Sequence, residues 1–131
     1  VFAGSPFHNA DRNTWITSND SGFAIWDAHP VNPGHALVVP HRRVDRWWDL
    51  TSNEQSALLE LVAATRLVID GLHNPDGYNI GFNDGAAGGQ TVSQFHIHVI
   101  PRFHGDVDDP RGGVRHVIAE RGNYLLDRRS P

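Results

Sequence analysis

The spacing of apolar and polar positions changes along the chain, and each change predicts an element. Residues 14–19 (TWITSN) are β-branched and aromatic, a turn follows at Asn19-Asp20-Ser21-Gly22, and GFAIWDA runs over 22–28. Strand, turn, strand is the reading. HPVNPGH at 29–35 is broken by two prolines and a glycine, so it is a loop, and ALVVP at 36–40 is a short buried strand. A period near 3.6 then takes over. Leu58, Leu61, Val62, Thr65, Val68, Ile69 and Leu72 line one face of a helix predicted over 51–72. Thr51 and Glu54 have capping-box spacing, and Gly71 with Asn74-Pro75 supplies the stop. YNIGFND at 78–84 predicts a strand, GAAGG at 85–89 a flexible loop, VSQFHIHVI at 92–100 the most regular strand, and VRHVIA at 114–119 a last short element. Strands around one long helix predict an α+β fold with an antiparallel sheet.

The strand at 92–100 carries an anomaly. Alternation gives Phe95, Ile97 and Val99 to one apolar face and Gln94, His96, His98 and Ile100 to the other. Two imidazoles then stand roughly 6.5–7 Å apart along the strand, a spacing that suits a phosphoryl group lying against both. One neutral imidazole can attack phosphorus while the other donates a proton or hydrogen bond. The glycine-rich GAAGGQT at 85–91 can bring backbone N–H groups to anionic oxygens. Alternating histidines on a strand equally suit zinc or iron, and a solvent-facing sheet also carries them by chance.

Composition narrows the chemistry. With 131 residues the chain is expected to form a single domain, 1–131. Its opening valine leads us to expect a few residues ahead of Val1. Cysteine is absent, which removes thiolate nucleophiles and disulfides. All eleven basic residues are arginine, so lysine Schiff bases and Walker-type phosphate loops are excluded. A net charge of −4 argues against a nucleic-acid partner. No run approaches a membrane span and no leader pattern is visible, so a cytoplasmic protein is expected.

Taken together, the residues resemble the histidine-triad (HIT) hydrolases and transferases, bacterial members in particular. GQTVSQFHIHVIPR at 89–102 is similar to the family's Gly-Gln-(Ser/Thr)-Val and His-x-His-x-His signature apart from one position. PGHALVVPHR at 33–42, FAIWDAHP at 23–30 and DGYNIGFNDGAAGGQ at 76–90 resemble the family's other segments, in the right order. The likeness spans about residues 14–104 and leaves a tail over 105–131.

The resemblance implies a sheet of about five strands with one long and one short helix, and a homodimer. It implies cleavage at the α-phosphate of a purine nucleotide, either a dinucleoside polyphosphate or a nucleoside phosphoramidate, through a nucleotidyl-histidine intermediate. By the same likeness His96 is the nucleophile, His98 bonds phosphate oxygen, and His35 supports their hydrogen-bond network. Asp27 would bind the ribose, Ile25 and Leu37 would wall the purine, and Asn83, Gly89, Gln90 and Thr91 would hold phosphate and leaving group. No cofactor is implied, although a divalent cation can ride on the substrate phosphates.

Two departures bear on this. Gln94 stands where the first triad histidine belongs, a position that orients its neighbour, so weakened or retuned activity is expected. A nucleotide-binding module without turnover is the alternative, and a cupin-type metal enzyme a more distant one. Some bacterial relatives hold a structural zinc at the positions matching Ser5, His8, Arg43 and Gln94, a set that predicts no zinc here. In the tail, Arg111 and Arg115 could reach a distal phosphate, but a solvated turn is favoured for GDVDDPRGGVR at 105–115.

Overall fold

The structure is a computed structural model, and it describes residues 4–126. Five antiparallel strands form one sheet in the order β1-β2-β3-β5-β4. In chain order they are β1 (Thr17–Ser18), β2 (Gly22–Trp26), β3 (Ala36–Pro40), β4 (Gly77–Gly81) and β5 (Ile97–Arg102). One helix, α1 (Ser52–His73), lies between β3 and β4 in sequence. The Thr51–Glu54 capping box opens it: each side chain accepts from the other's backbone N–H. Asn74 ends it in the left-handed conformation (φ 48°).

The apolar stripe of α1 buries Leu58, Leu61, Val62, Thr65 and Ile69 against Ala24, Ala36, Val38, Phe95, Ile97 and Val99. Full burial of each aliphatic or aromatic side chain is worth roughly 1.5–3 kcal/mol before entropy is counted. Val68 and Leu72 were expected in this stripe and are exposed instead, Val68 on its flank and Leu72 on the last turn. Phe23, Ile25, Leu37 and Val39 point to the opposite face, where Phe7, Ala10 and Trp15 of the N-terminal segment pack on them. That segment covers only part of the face.

Several expected boundaries shift. The strand expected at 14–19 shrinks to β1, because Asp11 caps a 3-10 turn over Arg12–Thr14 by accepting from the Asn13 N–H. In place of one short α-helix there are short 3-10 turns, among them Gly113–Val117 and Ala119–Arg121 in the tail. The strand expected at 92–100 starts only at Ile97. From there the alternation holds, with Ile97, Val99 and Pro101 buried and His98, Ile100 and Arg102 partly exposed. Ahead of it, Phe95 anchors the chain differently: its N–H bonds Val44 O at 2.7 Å and its ring packs against Trp47 and Phe82. Gln94 is thereby turned off the face shared by His98 and Ile100. Among the described residues no helix is long and apolar enough to cross a membrane.

Candidate active site

On the sheet face away from α1 the partial cover leaves a cavity of about 840 Å³. Of the site residues named from the sequence, Ile25, Asp27, Leu37, Asn83, Gly89, Gln90, Thr91, His96 and His98 line it. His35 and Gln94 do not; they are buried behind it, 3% and 1% exposed. Phe7, Asn9, Ala10 and His29 also line the cavity and were not foreseen. The N-terminal segment has no periodicity to betray Phe7. His29 had one available signal, its place two residues after Asp27.

Backbone groups set the tautomers of His96 and His35, and His35 passes the assignment on to His98. His96 Nδ1 lies 2.8 Å from Gln94 O. A carbonyl only accepts, so Nδ1 carries the proton and Nε2 keeps a free lone pair. His35 follows the converse logic: its Nδ1 accepts from the Val31 N–H at 3.1 Å, so its proton sits on Nε2. That Nε2–H donates to His98 Nδ1 at 2.9 Å, with Asp27 Oδ2 3.3 Å away. His98 therefore carries its own proton on Nε2, the nitrogen left for the cavity. A nucleophilic nitrogen and a donor nitrogen result, on rings whose centroids are 5.0 Å apart.

Sequence details build this relay. Gly34 takes φ +88°, and a Cβ there would lie 2.7 Å from His73 Cδ2 of α1, so glycine suits the turn that delivers His35 to His98 on β5. Leu37 pairs with His98 across β3 and β5, which brings the loop before β3 beside the triad strand. Burial pushes the His98 imidazole down to about 4, helped by the nearby His96 and His35 and opposed by Asp27. His35 is lowered for the same leading reason, burial. His98 is thus a neutral donor at pH 7.

Asp27, His35 and His98 could in principle hold a metal, since a ligand atom from each lies within 4.8 Å of the others. The hydrogen bonds speak against it. A metal on His35 Nε2 would displace the proton fixed there by the Val31 N–H, so the trio fits a proton relay better than a ligand set.

The loop after β4 is shaped by Gln90. Its Oε1 accepts from the Gly85 N–H, and its Nε2 donates to Asp45 O and Val92 O. The side chain of Gln90 is therefore occupied in holding the loop that presents Gly89 (φ +94°) and Thr91. Among the described residues that line the cavity there is no arginine.

A family model described as HIT domain matches residues 9–105. The chain belongs to the HIT family. It is 40% identical over 87 residues to the AP-4-A phosphorylase of Mycobacterium tuberculosis (strain ATCC 25618 / H37Rv), a stretch covering 66% of this chain and 45% of that protein. It is 41% identical over 86 residues to the bis(5′-nucleosyl)-tetraphosphatase (asymmetrical) of Schizosaccharomyces pombe, covering 66% and 47%. The chain thus spans about half the length of these relatives. A HIT family protein from Bacillus anthracis superposes with a TM-score of 0.67 at 31% identity, covering 71% of this chain and 66% of that one.

The zinc that some HIT relatives are expected to hold does not suit the residues present. Ser5 Oγ and His8 Nδ1 are bonded to each other, and His8 Nε2 donates to Pro40 O and His41 O. Gln94 Nε2 donates to Arg42 O at 3.4 Å and Phe95 O at 3.2 Å. His8 and Gln94 thus turn N–H donors toward the consecutive carbonyls of Pro40, His41 and Arg42 at the close of β3, and the His8 Nδ1 lone pair is taken by Ser5. In the HIT tail, Arg111 forks onto Asp109 and Arg115 donates to the carbonyls of Gly122 and Arg121. Neither lines the cavity, which agrees with the turn reading.

Proposed function

We propose that this HIT protein is a nucleotidyl hydrolase or transferase acting at the α-phosphate of a dinucleoside polyphosphate. The observation that carries the reading is the pair of nitrogens on one cavity wall, a free Nε2 on His96 and an Nε2–H on His98. His96 Nε2 attacks the α-phosphorus, and the bond to the leaving phosphate breaks with its electron pair. His98 Nε2–H bonds a phosphoryl oxygen as charge builds there. Water then attacks phosphorus and gives up a proton to solvent, the P–N bond breaks with its electron pair returning to His96 Nε2, and nucleoside monophosphate leaves.

Asp27 accepts from ribose hydroxyls, Ile25 and Leu37 hold the purine, and the loop with Asn83, Gly89 and Thr91 receives the phosphate side. The relatives named for tetraphosphate chemistry favour polyphosphate over phosphoramidate. With no arginine among the described residues that line the cavity, a divalent cation carried in with the substrate would balance the charge of the distal phosphates. Binding without turnover is the less favoured reading, because the contact that orients His96 comes from the backbone carbonyl of residue 94. A cupin-type enzyme is disfavoured by the helix-backed sheet.

We also expect a homodimer. β4 is an edge strand with Ile80 exposed, and Leu59 and Leu67 of α1 are exposed as well. Sedimentation measures this directly.

Release of nucleoside monophosphate from dinucleoside polyphosphates and phosphoramidates, with and without chelator, tests the activity. Nucleotide mass should appear on the peptide containing His96. Full turnover by His96→Ala refutes the mechanism.

A further inference from the structure

His8 lies outside the relay yet is tied at both ring nitrogens. Its Nε2 donates to Pro40 O at 2.9 Å and His41 O at 3.1 Å, and its Nδ1 accepts from the Ser5 hydroxyl. Its ring also stands edge-on to Phe23, 5.3 Å between centroids. These contacts hold the 3-10 turn Phe7–Asn9 to the end of β3. Apart from the packing of Phe7 and Ala10 on the sheet, the turn has only a backbone bond from Ala10 N to Phe7 O and no side-chain cap. A turn this short does not persist unsupported.

Its position matters because of what flanks His8. Phe7 and Asn9, on either side, both line the cavity. The Phe7 ring meets His96 edge-on, with centroids 4.9 Å apart and planes at 62°. Gln94 O holds His96 at Nδ1 alone, and a single hydrogen bond leaves the imidazole free to swing about it. A ring packed beside it removes that freedom.

We propose that His8 is a positioning residue for the nucleophile: it pins the Phe7–Asn9 turn to β3, and the turn lays Phe7 against His96. The kinetic part of this rests on the function proposed above; the structural part does not. Ser5 contributes by donating to Nδ1, which keeps the His8 proton on the nitrogen facing the carbonyls.

The test uses the full chain with labelled histidine. In the free protein the His96 ring resonances should be displaced by the ring current of Phe7, and Phe7→Leu should remove the displacement. His8→Ala should move the His96 signals to the Phe7→Leu position. His8→Gln, whose amide can still donate to Pro40 O, should restore most of the shift. In nucleotide release His8→Ala should lose about ten-fold in kcat/KM, the scale on which small misplacement of a reacting group is felt. The double variant with Phe7→Leu should lose no more than Phe7→Leu alone, because the two act through one contact. Unmoved His96 signals in folded His8→Ala, or losses that simply add, would overturn the proposal. Should His8→Ala fail to fold, Ser5→Ala is read in its place: a partial shift of the His96 signals supports the pin, and no shift overturns it. If the wild type releases no nucleotide, the functional reading fails while the resonance measurements still decide the role of His8.

Discussion

Replacing Gln94 by alanine separates the two things residue 94 does. Its carbonyl receives the His96 Nδ1–H at 2.8 Å, and any residue supplies a carbonyl. Its side chain, 1% exposed, sends two N–H bonds to Arg42 O and Phe95 O. Stranding a buried acceptor costs about 1–3 kcal/mol; that applies to Phe95 O at 3.2 Å, while the part-buried Arg42 O at 3.4 Å adds less. Adding the space left by the lost methylenes gives a destabilisation of about 2–4 kcal/mol. In a domain of this size that lowers Tm on the order of 10 °C. Transition-state stabilisation should change little, so kcat/KM measured well below the new Tm should stay within about three-fold. Thermal denaturation and nucleoside monophosphate release, run on the same preparation, give both numbers. A loss of about 100-fold in kcat/KM, or roughly 2.7 kcal/mol, with Tm unmoved would show that the amide itself takes part in the chemistry.

Other substitutions probe the relay and the nucleoside side. His35→Ala removes the donor that fixes the His98 tautomer and should cut kcat by about 10–100-fold with a smaller change in KM; steady-state kinetics with an unchanged kcat would show the relay to be idle. Asp27→Asn should raise KM about ten-fold for a ribonucleotide substrate and much less for its 2′,3′-dideoxy analogue, since one acceptor oxygen is lost; an equal rise for both would remove Asp27 from ribose recognition. For pH, His98 titrates at about 4 in the fold against 6.5 in an ordinary histidine. The unfolded chain therefore takes up its proton first, and the stability tied to a neutral His98 is complete above pH 6.5 and lost as pH falls toward 4. Chemical denaturation from pH 7 to 4 should show wild type losing up to about 3 kcal/mol more than His98→Gln, and parallel curves would contradict a buried neutral ring.

Residues with a periodic neighbourhood were legible from sequence, and those set by irregular backbone were not. The α1 stripe and the alternation from Ile97 to Arg102 both rest on regular elements, so Leu58, Ile69, His98 and Val99 fall on the expected faces. Gln94 breaks the pattern because period two applies only while the chain stays extended. The Phe95 N–H bonds Val44 O before β5 begins, and two residues of irregular backbone turn an expected cavity side chain into a buried one. Phe7 was invisible for a related reason: a three-residue turn on the opposite sheet face has no repeat to read.

The same contrast explains why a missing triad histidine is tolerable in the fold. Sequence comparison weighs side chains, whereas the order imposed on these imidazoles comes from main-chain atoms: Gln94 O on His96 and the Val31 N–H on His35. From the second of these, the Nε2–H of His35 carries the assignment on to His98. Main-chain donors and acceptors survive substitution as long as the backbone path does. What fixes that path is therefore the more sensitive part of the site: Gly34 at its left-handed turn, Phe95 under Trp47 and Phe82, and the staple of Gln90 on Gly85, Asp45 and Val92. A change that redirects this path takes the carbonyl or the N–H away from its imidazole, and the tautomer preference goes with it.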